Sequence, residues 1–148
     1  MSGPLPSIRG FKPVFTVIGA LYVALASSML VRGAAALVDF GVAPELAAEP
    51  VLADFFLFFY QLMAFVGVLT IVVGWVVHGR RGQALVAAVF CAANVLWALR
   101  DLGTSDSAFG NRLYQGEVTL VFVAIDVALA LAFGAVAIRG SRRDRGRR

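Results

Sequence analysis

Charge is scarce in this chain: only 15% of its 148 residues are Asp, Glu, Lys or Arg, and 60% are hydrophobic. A soluble domain carries about 25% charged and roughly 45–50% apolar residues. A domain this small leaves much of its surface in water, so one core cannot hide such a surplus. The excess apolar surface must face lipid. Cysteine is almost absent: Cys91 stands alone in an apolar run, which excludes an intrachain disulfide and a thiolate metal centre. The one histidine, His78, ends an apolar run beside Arg80 and Arg81, with no Cys, Asp or Glu close to it. That is the setting of an interface residue near a helix C-terminus rather than of a metal ligand. A glycine-rich phosphate loop, a nucleophile elbow and paired catalytic carboxylates are all missing. No metal and no cofactor is expected.

The net charge of +4 does not make a nucleic-acid binder. Six of the thirteen basic residues lie in the tail 139–148, with no folded basic face behind them. A basic tail next to a membrane helix meets anionic lipid headgroups.

What the sequence has in abundance is apolar runs, four of them near the roughly 20 residues that cross a bilayer. The first is uncharged over 14–31, longer than the apolar part of a secretory signal, which is about 7–15 residues; it reads as a retained span. The expected class is all-α, a transmembrane four-helix bundle, antiparallel, since open strand edges are not left unsatisfied in lipid. The expected organisation is a cytoplasmic N-terminal segment, 1–13, a transmembrane domain, 14–138, and a basic cytoplasmic tail, 139–148. Within the domain the spans fall at about 14–38, 55–77, 84–100 and 118–138. Pro44 and Pro50 interrupt the first connection, 78–82 (HGRRG) is a tight turn, and 101–116 is a polar loop.

Charge sets the orientation. Arg9, Lys12, Arg80, Arg81 and the six tail arginines share one side, ten in all, against Arg32, Arg100 and Arg112 on the other. Short loops rich in Lys and Arg stay in the cytoplasm, so both termini are expected inside a cell membrane. Trp75 and Trp97, and the aromatic start of the second span at 55–60, read as interface anchors.

Asp126 is the most informative residue. It lies about nine residues into the fourth span, roughly 13 Å deep at helical rise. An ionised carboxylate at that depth needs a partner or a proton, which makes it a functional candidate. Gln61 and Asn94 lie at similar depth, about 10 Å, on the second and third spans. Ser28 shares the layer, and Arg32 and Arg100 stand shallower, within reach of it. These six residues form the expected ligand-binding layer, open to the outside. On the second helix Asp54, Gln61, Phe65 and Val68 share a stripe; on the third Phe90, Asn94, Trp97 and Asp101; on the fourth Phe122, Asp126 and Phe133. Alanine stripes such as Ala84, Ala88, Ala92 and Ala124, Ala128, Ala132 run on the far side of those helices, suited to a homo-oligomer or a membrane partner.

The stretches 65–74 (FVGVLTIVVG) and 94–101 (NVLWALRD), within four short helices and a proline-containing loop, carry a resemblance. The chain resembles small bacterial membrane proteins of the BphX-like and DoxX-like kind. That resemblance implies an accessory role, in metabolic or redox systems, and assigns no site residue. Small multidrug exporters are similar in size and span number but depend on a glutamate within the first helix, where 14–31 holds no acid.

The expected function is therefore a non-enzymatic accessory subunit or a binder of a small apolar ligand. The alternative is a proton-coupled small-molecule transporter using Asp126. An intramembrane enzyme ranks third, because no nucleophile and base are visible.

Overall fold

Backbone groups in hydrocarbon have no water to bond, so apolar runs close their hydrogen bonds within helices. The computed structural model describes residues 7–39, 42–104 and 117–145, and among these the regular structure is helical throughout, without a strand. The helices are α1 (Phe11–Arg32), α2 (Ala36–Asp39), α3 (Pro44–Ala47), α4 (Pro50–Val76), α5 (Arg80–Thr104) and α6 (Glu117–Arg145). Four stretches are long and apolar enough to cross a membrane: Phe11–Arg32, Pro50–Val76, Arg80–Gly103 and Leu120–Ser141.

The ends of these helices differ from the expected spans, for local reasons. α1 stops at Arg32 rather than near residue 38, because Gly33 turns into positive φ (63°) and gives its N–H to the Met29 carbonyl. A 3-10 turn (Gly33–Ala35) and α2 follow. Pro50 begins α4 rather than holding it off until residue 55: at the first helical position a missing N–H costs nothing and the fixed φ suits the helix. The turn between α4 and α5 is tighter than 78–82. Gly79 takes φ 84°, and Arg80 and Arg81 already belong to α5. α6 runs on to Arg145 in the basic tail, where cations at a helix C-terminus are favourable. The polar loop expected beyond residue 104 lies outside the described residues.

α1 packs along α4, and α5 along α6. In lipid the hydrophobic effect does not drive such pairing; close van der Waals fit does. α4 turns Phe56, Tyr60, Gly67, Thr70 and Gly74 inward, with Met63 partly buried, so its seam advances by alternate steps of four and three residues. Two glycines let the backbones touch. A Cβ on Gly19 would stand 2.6 Å from the Gly67 carbonyl oxygen, and one on Gly67 would stand 2.8 Å from that of Gly19.

The two pairs meet in an aromatic core. Phe11 and Phe15 of α1 join Phe90 of α5 and Phe133 of α6, with the Phe15 ring 5.2 Å from Phe90 and 4.9 Å from Phe133, both edge-on. Each such pair adds about 0.5–1.5 kcal/mol beyond its buried area. A second cluster gathers Ala26 and Met29 of α1, Leu37, Val42 and Ala47 of the connection, and Phe56 and Tyr60 of α4. Large apolar side chains such as Phe55, Phe58, Phe65, Leu96 and Leu131 point outward. That is the surface a lipid-embedded protein presents.

Candidate functional site

A polar layer lies one to two helical turns from the aromatic core. Asn94 is buried in α5, only 5% exposed. Its Oδ1 accepts a hydrogen bond from the Tyr22 hydroxyl of α1 at 3.4 Å, and its Nδ2 donates to the Phe90 carbonyl at 2.8 Å. The Tyr22–Asn94 bond joins one helix pair to the other. Interhelical bonds of this kind average about 0.6 kcal/mol in membranes and reach about 1.7. It positions groups more than it stabilises the fold.

Asp126 of α6 stands beside this bond. It is half-buried and lies within electrostatic reach of both Tyr22 and Asp101. It makes no hydrogen bond or ion pair with a described residue. The two arginines expected to serve it are directed elsewhere. Arg32 pairs with Asp39 at the exposed end of α1. Arg100 pairs with Asp101 at 3.3 Å, and its guanidinium lies 5.1 Å from the Trp97 ring. Long arginine side chains reach shallow, solvated partners at little cost, while reaching down to Asp126 would desolvate them.

Of the six residues singled out from the sequence, Asn94 and Asp126 share a neighbour in Tyr22, and Arg100 is joined to the group through Asp101. Ser28, Arg32 and Gln61 do not: all three are exposed. For Gln61 the reason lies in the α4 seam. Tyr60 faces inward, and the next residue is turned about 100° away along a helix of 3.6 residues per turn. The whole stripe of Asp54, Gln61, Phe65 and Val68 is accordingly on the outer surface. The stripes of α5 and α6 face inward at Asn94 and Phe133. The alanines Ala88, Ala92, Ala124 and Ala128 are outward, with Ala84 drawn in against Gly140.

Tyr22 was missed among the candidates. Its signal is a phenol in the middle of an uncharged run, away from the interfaces where tyrosine is at home. Gln83 was missed too. It is 4% exposed, its Oε1 accepts from the Ile8 N–H (2.7 Å) and the Ser7 hydroxyl (3.1 Å), and its Nε2 donates to the Val77 carbonyl (3.0 Å). It ties the start of the chain to the α4–α5 turn. Among the described residues no three of His, Cys, Asp and Glu are grouped to hold a metal ion.

Comparison of the chain with models of protein families, with curated proteins and with solved structures gave no match.

Proposed function

We propose that the chain is a non-enzymatic protein of the cell membrane that binds a small, largely apolar ligand at the layer of Tyr22, Asn94 and Asp126, as an accessory subunit. Asp126 carries this reading. A carboxylate half-buried within a span, with no ion pair to a described residue, is costly unless something compensates it. A ligand bearing one cationic or hydrogen-bond-donating group supplies that compensation. Phe90, half-buried one turn from Asn94, offers an aromatic wall for its apolar body.

The test is the thermal stability of the purified protein in mild detergent with small apolar amines, and with matched alcohols as controls. A ligand at a hundred times its Kd stabilises by about 2.7 kcal/mol. Amines should raise the melting temperature of the wild type. Asp126→Asn should melt within about 1 kcal/mol of wild type, since no ion pair is lost, and should not respond to amines. Equal amine shifts in wild type and Asp126→Asn, or none in either, would remove Asp126 from ligand binding.

A second reading, proton-coupled transport, draws on the nearness of Asp101 and Asp126, two carboxylates in electrostatic reach of each other on α5 and α6. Amine uptake into proteoliposomes that follows an imposed proton gradient and disappears in Asp126→Asn would favour it.

For the arrangement in the membrane we propose four antiparallel spans with both termini cytoplasmic. This rests on the ten-to-three division of basic residues. It is supported by contacts that gather the start of α1, the α4–α5 turn and the end of α6 at one end. A reporter fused after Arg148 should be active only in the cytoplasm, and one inserted at Ser105 only outside. The reverse pattern would invert the protein.

A further inference from the structure

We propose that the end of the molecule opposite the polar layer is a binding site for the headgroup of an anionic phospholipid, formed by Arg9, Lys12, Arg80, Arg81 and Arg139. The folding itself assembles these cations from three separate segments. Gln83 draws the Ile8 N–H to the start of α5, and Arg80 Nη2 donates to the Arg139 carbonyl at 3.0 Å. The Arg139 guanidinium reaches over the Gly10 turn, 3.3 Å from where a Cβ on Gly10 would stand. Arg9 is the neighbour of that glycine.

None of the five is paired with an acid among the described residues; the ion pairs there, Arg32–Asp39 and Arg100–Asp101, belong to residues at the other ends of α1 and α5. Like charges brought together repel, and no ion pair among the described residues offsets that repulsion. The first turn of α5, where Arg80 and Arg81 sit, adds the positive end of a helix dipole. An anion bound here relieves that repulsion.

The level of the cluster specifies a lipid as the source of that anion. Lys12 is the second residue of one membrane-spanning stretch, Arg80 the first of another, and Arg139 lies two before the end of a third. Phosphates of a bilayer lie at that height. Trp75 marks the same level: it is exposed, its Nε1–H donates to Thr16 Oγ1 at 3.1 Å, and Lys12 Nζ stands 3.0 Å over its ring. Val76, Leu85 and Ile138 are exposed close by along their helices, an apolar surface for acyl chains below the headgroup. The site shares no residue with the ligand layer and stands or falls separately from it.

Trp75 is also the probe. In a Trp97→Phe background it is the one remaining tryptophan. Full-length protein in phosphatidylcholine nanodiscs, with increasing phosphatidylglycerol, should give a saturable change in Trp75 emission. An added basic residue near an anionic surface strengthens binding about fivefold, so Arg80→Gln with Arg139→Gln should weaken it about 25-fold. Arg9→Gln with Arg81→Gln, two exposed side chains, should act alike without disturbing the Arg80–Arg139 contact. Arg32→Gln, outside the cluster, should bind as wild type. Circular dichroism melts check that each variant is folded. The proposal is overturned if phosphatidylglycerol does no more than phosphatidylcholine, if folded Arg9→Gln/Arg81→Gln binds like wild type, if Arg32→Gln weakens binding equally, or if inorganic phosphate alone gives the full response.

Discussion

Gly67→Leu should be among the most destabilising single substitutions in this protein. Gly67 sits where α4 crosses α1, and even a methyl group there would meet the Gly19 carbonyl oxygen and Val23 Cγ2 at 2.8 Å and Tyr22 Cβ at 3.0 Å. The first of these is backbone and cannot swing aside as the tip of a long side chain would. Overpacking a tight interior costs about 1–3 kcal/mol, occasionally more. For Gly67→Ala that cost is partly offset by about 0.5–1 kcal/mol from better helix propensity; leucine adds three more carbons with no further compensation. Gly103 is the internal control. It is also helical, but a Cβ there meets nothing within 4 Å, so Gly103→Ala should stabilise slightly. Unfolding in mild detergent should therefore give opposite signs for the two alanine variants. The same sign for both would mean that the crossing is looser than its geometry. Because Tyr22 is in the crossing, Gly67→Leu should also pull its hydroxyl from Asn94 and abolish ligand stabilisation at the polar layer.

Gln83→Leu is expected to cost about 2–4 kcal/mol. Leucine is one bond shorter than glutamine but no smaller in volume, so the loss is chiefly one of hydrogen bonds. The Ile8 N–H is buried and has Gln83 Oε1 as acceptor at 2.7 Å. Leaving such a group unsatisfied costs about 1–3 kcal/mol, and the Val77 carbonyl loses its side-chain donor as well. Ser7→Ala should be nearly silent, since Ser7 is exposed and its hydroxyl can bond water. α1 begins after Gly10 without a side-chain cap, so the tie through Gln83 helps buried Phe11 to hold its start. Limited proteolysis should accordingly cut near residues 7–10 in Gln83→Leu far sooner than in wild type. Equal resistance, with an unchanged melting temperature, would reduce Gln83 to a passenger.

Asn94 and Asp126 were legible as site residues because each is a polar group deep in an apolar run, and in α5 and α6 the polar stripe coincides with the packed one. In α4 the two stripes part. Polarity drew attention to Gln61, but helices in lipid associate by fit, and the fit of α4 is set by Gly67 and Gly74, on the face of Tyr60. The spacing of those glycines, seven apart, was in the sequence. Its partner Gly19 is 48 positions from Gly67, and no local pattern couples the two. The arginines illustrate the same division. Their depth made Arg32 and Arg100 plausible partners for Asp126, yet Asp39 and Asp101 stand closer to hand, seven residues and one residue away along the chain.

By itself the sequence determined that four long apolar helices form, because that depends on local quantities: apolar runs long enough for a bilayer, and a backbone that must satisfy its own hydrogen bonds where no water reaches. Only the tertiary structure decided which face of each helix turns inward, that Tyr22 meets Asn94 near an Asp126 without an ion pair among the described residues, and that Gln83 and Arg80 tie residue 8, the start of α5 and Arg139 together at one end. Those outcomes rest on steric fit between surfaces distant in the chain, and in lipid that fit, rather than hydrophobicity, chooses between one face of a helix and another.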